Sequence, residues 1–318
     1  MVGQPLDALT GTEGVLPPWR GLEYPLWDLA GRRAGQPVFR MVSGEQGCAD
    51  PLRVPCYDTS LYFDDLHLPT DAAAAACIAA QAADGLALGH RAFKIKVGRG
   101  ARHMPLDEGT ARDIAIIRAV RETVGEGCPL MIDANNGYNL NLAKRVLRET
   151  AGCRLTWIEE AFHEDPVLYR DLKEWMAAEG LAVLIADGEG EASARLLDWA
   201  AGGLIDVVQY DIFGHGFERW RETSRTLEER RTASGAGRRV RTAPHHYGCH
   251  IGNYAACHLA AALPGFAYAE WDEASTPGIG AAGYAIEEGF VHVPETPGFG
   301  LELDEQAFLA ARTDVYAA

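Results

Sequence analysis

Positive charge is what this chain of 318 residues has least of: 29 Lys and Arg stand against 45 Asp and Glu, a formal net charge of −16. A nucleic acid or an anionic membrane surface would be repelled by that balance, so neither is expected as a partner. An anionic substrate would need a site made locally cationic by lysines or a metal ion. Long apolar runs are missing too, and no stretch approaches the ~20 residues that span a bilayer. Residues 1–21 have no basic start and no apolar core, and they carry Pro17 and Pro18 in succession, so no secretory signal is read there. Cysteine is sparse: Cys48, Cys56, Cys77, Cys128, Cys153, Cys249 and Cys257 are scattered and odd in number. They fit reduced thiols better than a disulfide framework, and a cytoplasmic location is expected. The Gly-rich phosphate turn of a doubly wound open sheet is absent as well, which weighs against that fold.

What is there is an apolar share of 47%, ample for one large domain or a barrel with a small accessory domain. Residues 24–42 read as a short helix stopped near Gly35, then Pro37 and an extended segment. From there the chain alternates. Strand-like runs occur at 54–60, 92–98, 129–135, 154–160, 182–188, 204–210, 238–244 and 265–271, with helical stretches such as 70–89 and 108–125 between them. Eight such runs with mostly helical connections predict an α/β fold of the (β/α)₈ TIM-like barrel type. ERRTASGAGRR, residues 229–239, reads as an exposed loop before the seventh strand.

The run AFKIKVG (92–98) sets the functional question. Side chains alternate along a strand, so Lys94 and Lys96 share a face opposite Phe93, Ile95 and Val97. Either the lysines decorate a wet edge or they point at negative charge. In a barrel, chemistry sits where strands end. Those ends carry Lys94 and Lys96, Asp133 and Asn135, Glu159, Glu189, Asp211, His245 and Glu270, each group about one βα unit from the next. Any single acid there could simply open a loop or cap a helix. Seven successive ionisable strand ends are much harder to obtain that way. Asp133, Glu159 and Glu189 would converge, and three carboxylates that close need a cation. All-oxygen ligation suits a hard divalent ion, Mg²⁺ or else Mn²⁺.

In order, FKIKVG, MIDANNGY, WIEEAF, LIADGEG, QYDIFGHG, APHHYG and YAEWDE resemble the strand-end motifs of the enolase superfamily, in its mandelate racemase and muconate lactonizing branch. The resemblance runs from about residue 25 to 305 and implies a modified (β/α)₇β barrel. It makes Asp133, Glu159 (rather than Glu160) and Glu189 the metal ligands, with Asp187 as fallback for the third. It makes Lys96 a base, Lys94 a partner for a substrate carboxylate oxygen, and Asp211 and His245 a dyad, with Glu270 joining them. Asn135 and His215 are expected to meet substrate. The sixth strand carries Asp211 and no lysine, which is similar to the mandelate racemase type.

The implied reaction is Mg²⁺-dependent abstraction of the α-proton of a carboxylic acid through an enediolate. APHHYG looks most like acid-sugar dehydratases, so the expected substrate is a sugar acid and the product a 2-keto-3-deoxy acid. The alternatives are a racemase, epimerase or cycloisomerase, or a disabled barrel serving as a structural subunit. Two departures stand out: Ala161 replaces a proline, and His215 interrupts a Gly-Gly pair. The family's front capping domain is largely missing. Residues 1–50 are expected to be its remnant, 51–290 the barrel, and 291–318 a segment packing back on both. A longer native chain and a homo-oligomer are expected. HHYGCH (245–250) invites a zinc-hydrolase reading, but His245 and His246 are adjacent and would face opposite sides. Trp157, Tyr247 and Trp271 are expected in core or pocket wall, and Asp272 and Glu273 in a solvated loop.

Overall fold

The computed structural model describes residues 10–11, 14–15, 22–43, 47–48, 50–234, 239–246 and 250–311. Helix α1 (Glu23–Ala34) ends where Gly35 turns left-handed at φ 66°, returning its N–H to the last turn. Helix α2 (Val38–Val42) replaces the extended segment expected after Pro37. Val38 and Phe39 are fully buried, and burying both from so short a stretch outweighs the β-preference of its valines.

Eight strands follow: β1 (Arg53–Leu61), β2 (Phe93–Lys96), β3 (Leu130–Asp133), β4 (Trp157–Glu159), β5 (Leu184–Asp187), β6 (Val207–Val208), β7 (Arg241–Thr242) and β8 (Ala269–Trp271). Each pairs in parallel with the next from β1 to β7. A parallel bridge from Thr242 to Phe266 carries β7 onto the run entering β8, and β8 pairs in parallel with β1. The ring therefore closes as a barrel. Its helices are α3 (Asp71–Ala87), α4 (Leu106–Val124), α5 (Leu140–Glu149), α6 (Pro166–Ala178), α7 (Leu196–Ala201), α8 (Phe217–Ser234) and α9 (Ile251–Ala260). Thr70, Asn139 and Asp165 cap α3, α5 and α6 through side-chain oxygens that accept first-turn N–H groups. Residues 229–234, expected in a loop, continue α8. Residues 235–238, Tyr247 and Cys249 lie outside the described residues.

Alternation along the strands builds two layers inside the barrel. Tyr57, Ala92, Met131, Trp157, Ala186, Val207 and Ala243 form a closed apolar plug, with Tyr268 packed against it. Two residues further along the same inward face come Thr59, Lys94, Asp133, Glu159, Gln209, His245 and Glu270. A period of two thus sets an apolar floor directly beneath a polar layer.

Strands β9 (Ala285–Glu287) and β10 (Phe290–His292) form an antiparallel pair, and β10 adds to β1, so the expected boundary at residue 290 falls within a strand. Beyond it the chain returns to the front helices, where Phe299 packs against Tyr24, Phe217 and His258. His258 ties these pieces together. Its Nδ1 accepts the Phe39 N–H at 3.0 Å, its Nε2 meets the Tyr284 hydroxyl at 2.8 Å, and that hydroxyl donates to Phe299 O. Protonating Nδ1 would set it against the Phe39 N–H, and burial lowers the pKa to about 3. The unfolded chain binds this proton near pH 6.5 and the native state does not, so stability falls as pH drops below that value. Between pH 6.5 and 5, wild type should lose about 2 kcal/mol more than His258→Gln, read from urea midpoints.

Candidate active site

Asp133 and Glu159 end β3 and β4, while Glu189 lies two residues past β5, beyond a left-handed Gly188 at φ 128°. One carboxylate oxygen from each lies within 4.8 Å of the others. Asp187 is committed elsewhere, accepting the Tyr169 hydroxyl at 2.6 Å and the Gly188 N–H at 2.8 Å, so the fallback ligand stands outside the cluster.

The two lysines divide. Lys94 is fully buried, with Nζ 2.6 Å from Glu159, 3.0 Å from Glu270 and 3.6 Å from Asp133. Its ammonium stands in one layer with these carboxylates and, like Asp133 and Glu159, lies just outside the cavity lining. The reason is charge: three carboxylates around it outweigh the desolvation of one ammonium. Lys96, one inward position nearer the mouth, binds Asp133, donates to Asn135 Oδ1 at 3.1 Å and keeps an edge on a cavity of about 820 Å³.

His245 lines the same cavity from β7's end. Its Nδ1 is 2.5 Å from Asp211 Oδ1, and its Nε2 is 2.9 Å from Glu189 Oε2 and 4.0 Å from Glu270. Burial opposes its charge, but Glu270, Asp211 and Glu189 push its pKa up to about 11. Glu160 is pushed up to about 10 by burial and by the neighbouring Glu189, and so holds its proton.

Around the cavity the carboxyl groups of Asp133, Glu159, Glu189, Asp211 and Glu270 gather about Lys94, Lys96 and His245. Glu189 Oε2 is also buried without a well-directed hydrogen bond, despite its closeness to His245. An orphaned oxygen in a converging cluster of three carboxylates, all oxygen donors, fits a hard divalent cation such as Mg²⁺.

Other expected residues are distributed as follows. Glu270 is buried, accepting from Thr59 Oγ1 at 2.9 Å and from the His246 N–H at 2.9 Å. Asn135 lines the cavity. His215 does not, a correction: it stacks on Tyr210 at 4.4 Å and meets Thr223 Oγ1 at 2.9 Å, drawn behind the site by ring packing. His246 turns away toward the Glu270 carbonyl, and among the described residues the only cluster suited to a metal is the carboxylate triad. Glu273 is less free than a solvated loop implies, since it pairs at 2.6 Å with the fully buried His90.

Sequence reasoning passed over Thr59 and Gln209, and weighed Glu160 only as a metal ligand, in favour of Glu159. Gln209 donates to Glu159 at 2.8 Å, beside the Trp157 Nε1 donor at 3.1 Å. Thr59 and Gln209 share the inward register of the lysines, so alternation alone could have found them. Glu160 sits off that register, and nothing local marks it.

Comparison with known proteins bears on this arrangement. Residues 77–307 match the Enolase C-terminal domain-like family. The galacturonate dehydratase of a Geobacillus species, solved as a mutant complexed with Mg, is 49% identical with a TM-score of 0.90, covering 97% of this chain and 78% of that one. The same enzyme complexed with D-galacturonate and 5-keto-4-deoxy-D-galacturonate superposes with a TM-score of 0.88 at 49% identity, over 97% and 80% of the two chains. The D-galactarolactone cycloisomerase of Agrobacterium fabrum is 28% identical over 92% of this chain and 73% of its own. No helix among the described residues is long and apolar enough to cross a membrane.

Proposed function

The chain belongs to the enolase superfamily, in its mandelate racemase and muconate lactonizing family, and from that footing we propose that it is a Mg²⁺-dependent dehydratase of a sugar acid, with hexuronates such as D-galacturonate as the substrate class. One observation carries the reading. Lys96 on β2 and His245 after β7 line a single cavity, flanking in strand order the carboxylates borne by β3, β4 and β5. Two proton-transfer groups on opposite sides of a cation site are what removing an α-proton and a β-hydroxyl requires.

Bound at Asp133, Glu159 and Glu189, Mg²⁺ supplies positive charge beside the substrate carboxylate, where negative charge builds as the α-proton leaves. Lys96 Nζ, whose neutral form the positive charge of Mg²⁺ beside it would favour, takes that proton. His245, charged and oriented through Nδ1 by Asp211, gives its Nε2 proton to the departing β-hydroxyl, which leaves as water. The enol that remains tautomerises to the ketone. Counted from the carboxylate, the product is 2-keto-3-deoxy. Counted from the aldehyde end of a hexuronate, it is 5-keto-4-deoxy, the relation borne by the compound in the Geobacillus complex. The apolar floor beneath Lys94 keeps water from reaching the cluster from below.

The test is incubation of purified protein with Mg²⁺ and D-galacturonate, followed by ¹H NMR. A keto-deoxy product is expected, lost on chelation and restored by Mg²⁺. Glu189→Gln should weaken Mg²⁺ binding about 10–100-fold by calorimetry, since it removes one of three charged ligands. No product from any hexuronate or aldarate at saturating Mg²⁺ would rule the dehydratase reading out. Conversion of a sugar-acid lactone instead would favour the cycloisomerase reading that the Agrobacterium relative supports.

A further inference from the structure

Three residues around the candidate site hold a left-handed backbone that side chains other than glycine seldom adopt: Asn135 at φ 41°, Asn136 at φ 60° and Glu160 at φ 41°. Asparagine tolerates this region, but glutamate has no local hydrogen bond to favour it. All three meet in one network. Glu160 Oε1 accepts from Asn136 Nδ2 at 3.0 Å, and Glu160 Oε2 accepts from Asn135 Nδ2 at 3.0 Å. The second Asn135 amide hydrogen goes to Glu189 Oε1 at 2.8 Å. Backbone bonds close the loop, since the Asn136 N–H donates to Glu160 O at 2.8 Å and the Glu160 N–H to Ala186 O at 3.1 Å.

The consequence lies at the other end of the Asn135 side chain. A carboxamide has a donating end and an accepting end, and which way it points depends on its neighbours. With both amide hydrogens drawn to the carboxyl groups of Glu160 and Glu189, the oxygen must face Lys96, whose Nζ lies 3.1 Å away. Turned over, the same carboxamide would press an NH₂ group against an ammonium and leave its oxygen against carboxyl oxygens. Asp133 holds Lys96 from one side, so Asn135 Oδ1 supplies the second anchor that fixes the amine's direction.

We propose that Glu160 is a positioning residue for Lys96, acting through the orientation of the Asn135 carboxamide. The inference rests on the reading of Lys96 as the α-proton base, but its geometric half stands without substrate. It also explains why Asn135, though it lines the cavity, has both ends of its carboxamide engaged within the protein, by Lys96, Glu160 and Glu189.

The test combines crystallography with isotope exchange on Glu160→Ala and Glu160→Gln. In Glu160→Ala the Asn135 oxygen should leave Lys96 Nζ, opening beyond 4 Å. Exchange of the α-proton on the Lys96 face in D₂O should fall about 10–100-fold, as loss of a supporting partner typically produces. Exchange on the His245 face and the Mg²⁺ dissociation constant should stay within about threefold, a pattern that general loosening of the site would not give. Glu160→Gln keeps one acceptor oxygen and should retain an intermediate rate with the carboxamide in place. An Asn135 oxygen that stays on Lys96 in both variants would overturn the proposal, as would equal loss of exchange on both faces. If wild type exchanges no sugar acid at all, the functional reading fails, while the crystal structures still decide whether Glu160 sets the carboxamide.

Discussion

Lys96→Ala should abolish α-proton exchange in the epimer that presents its proton to Lys96 while sparing the opposite epimer, and His245→Asn should do the reverse. General acid–base groups contribute about 10²–10⁴-fold to rate, so each variant should lose dehydration by a factor in that range. The two losses differ in kind. Lys96 lines the cavity from the β2 side and His245 from the β7 side, so on the proposed reading they meet opposite faces of an α-carbon held over the carboxylates. In D₂O, Lys96→Ala should still let His245 exchange deuterium into the diastereomer whose α-proton faces it, and His245→Asn should leave exchange by Lys96 intact. Asp211→Asn should resemble His245→Asn more mildly, because it removes only the acceptor on Nδ1. ¹H NMR of C-2 or C-5 epimeric substrates reads all three variants. Identical loss of exchange for both stereoisomers in both variants would make the two-base assignment wrong.

Arg99→Met should cost the fold about 3–5 kcal/mol, the expected penalty for breaking a buried ion pair from one side. Arg99 follows β2 directly, after Gly98 at φ 90°, where a Cβ would come within 2.8 Å of Ala134 O. Its guanidinium is fully buried. It reaches Asp65 at 2.6 Å, Asp113 at 2.8 Å, Lys96 O at 2.8 Å and Tyr62 O at 3.3 Å. Asp65 and Asp113 are themselves fully buried, and Asp113 also accepts the Gly98 N–H and the Tyr138 hydroxyl, each at 2.8 Å. Removing the cation would leave Asp113 without a counter-charge in the interior and Asp65 with only Arg112, 3.8 Å away. Arg99→Lys should fall between wild type and Arg99→Met, since an ammonium cannot span the same forked set of acceptors. Arg145→Met, which removes an arginine from exposed pairs with Asp107 and Glu149, should leave the urea midpoint unchanged. A midpoint for Arg99→Met equal to that of Arg145→Met would show that the buried network carries no stability.

Much of the fold was legible in the sequence for a simple reason. A strand's period of two and a helix's period of 3.6 are local properties, and so are the caps at Thr70, Asn139 and Asp165. All eight strand-like runs became strands, although several shortened to two or three residues where the chain turns away from the barrel. Local rules failed in two places, and burial overrode them in the first. Residues 38–42 coil into α2 because Val38 and Phe39 have a core to enter, and residues 229–234 stay in α8 despite their loop-like composition.

The chemistry divides along the same line. Spacing of one βα unit determined that Lys96, Asp133, Glu159, Glu189, Asp211, His245 and Glu270 would gather, because a closed parallel barrel brings every strand end to one mouth. Which of them would face the cavity was not a local property. Lys94 and Lys96 have the same residue type and the same strand face, yet one is locked among three carboxylates and the other lines the pocket. Depth along the barrel axis separates them, and depth depends on how neighbouring strands are staggered. The same holds for His215, which ring stacking on Tyr210 draws behind the site, and for Glu160, whose partners come from other strand ends. Sequence determined which groups could meet, because periodicity and spacing are properties of one strand at a time. Tertiary structure decided which of them bond, because distance and burial are properties of all the strands together.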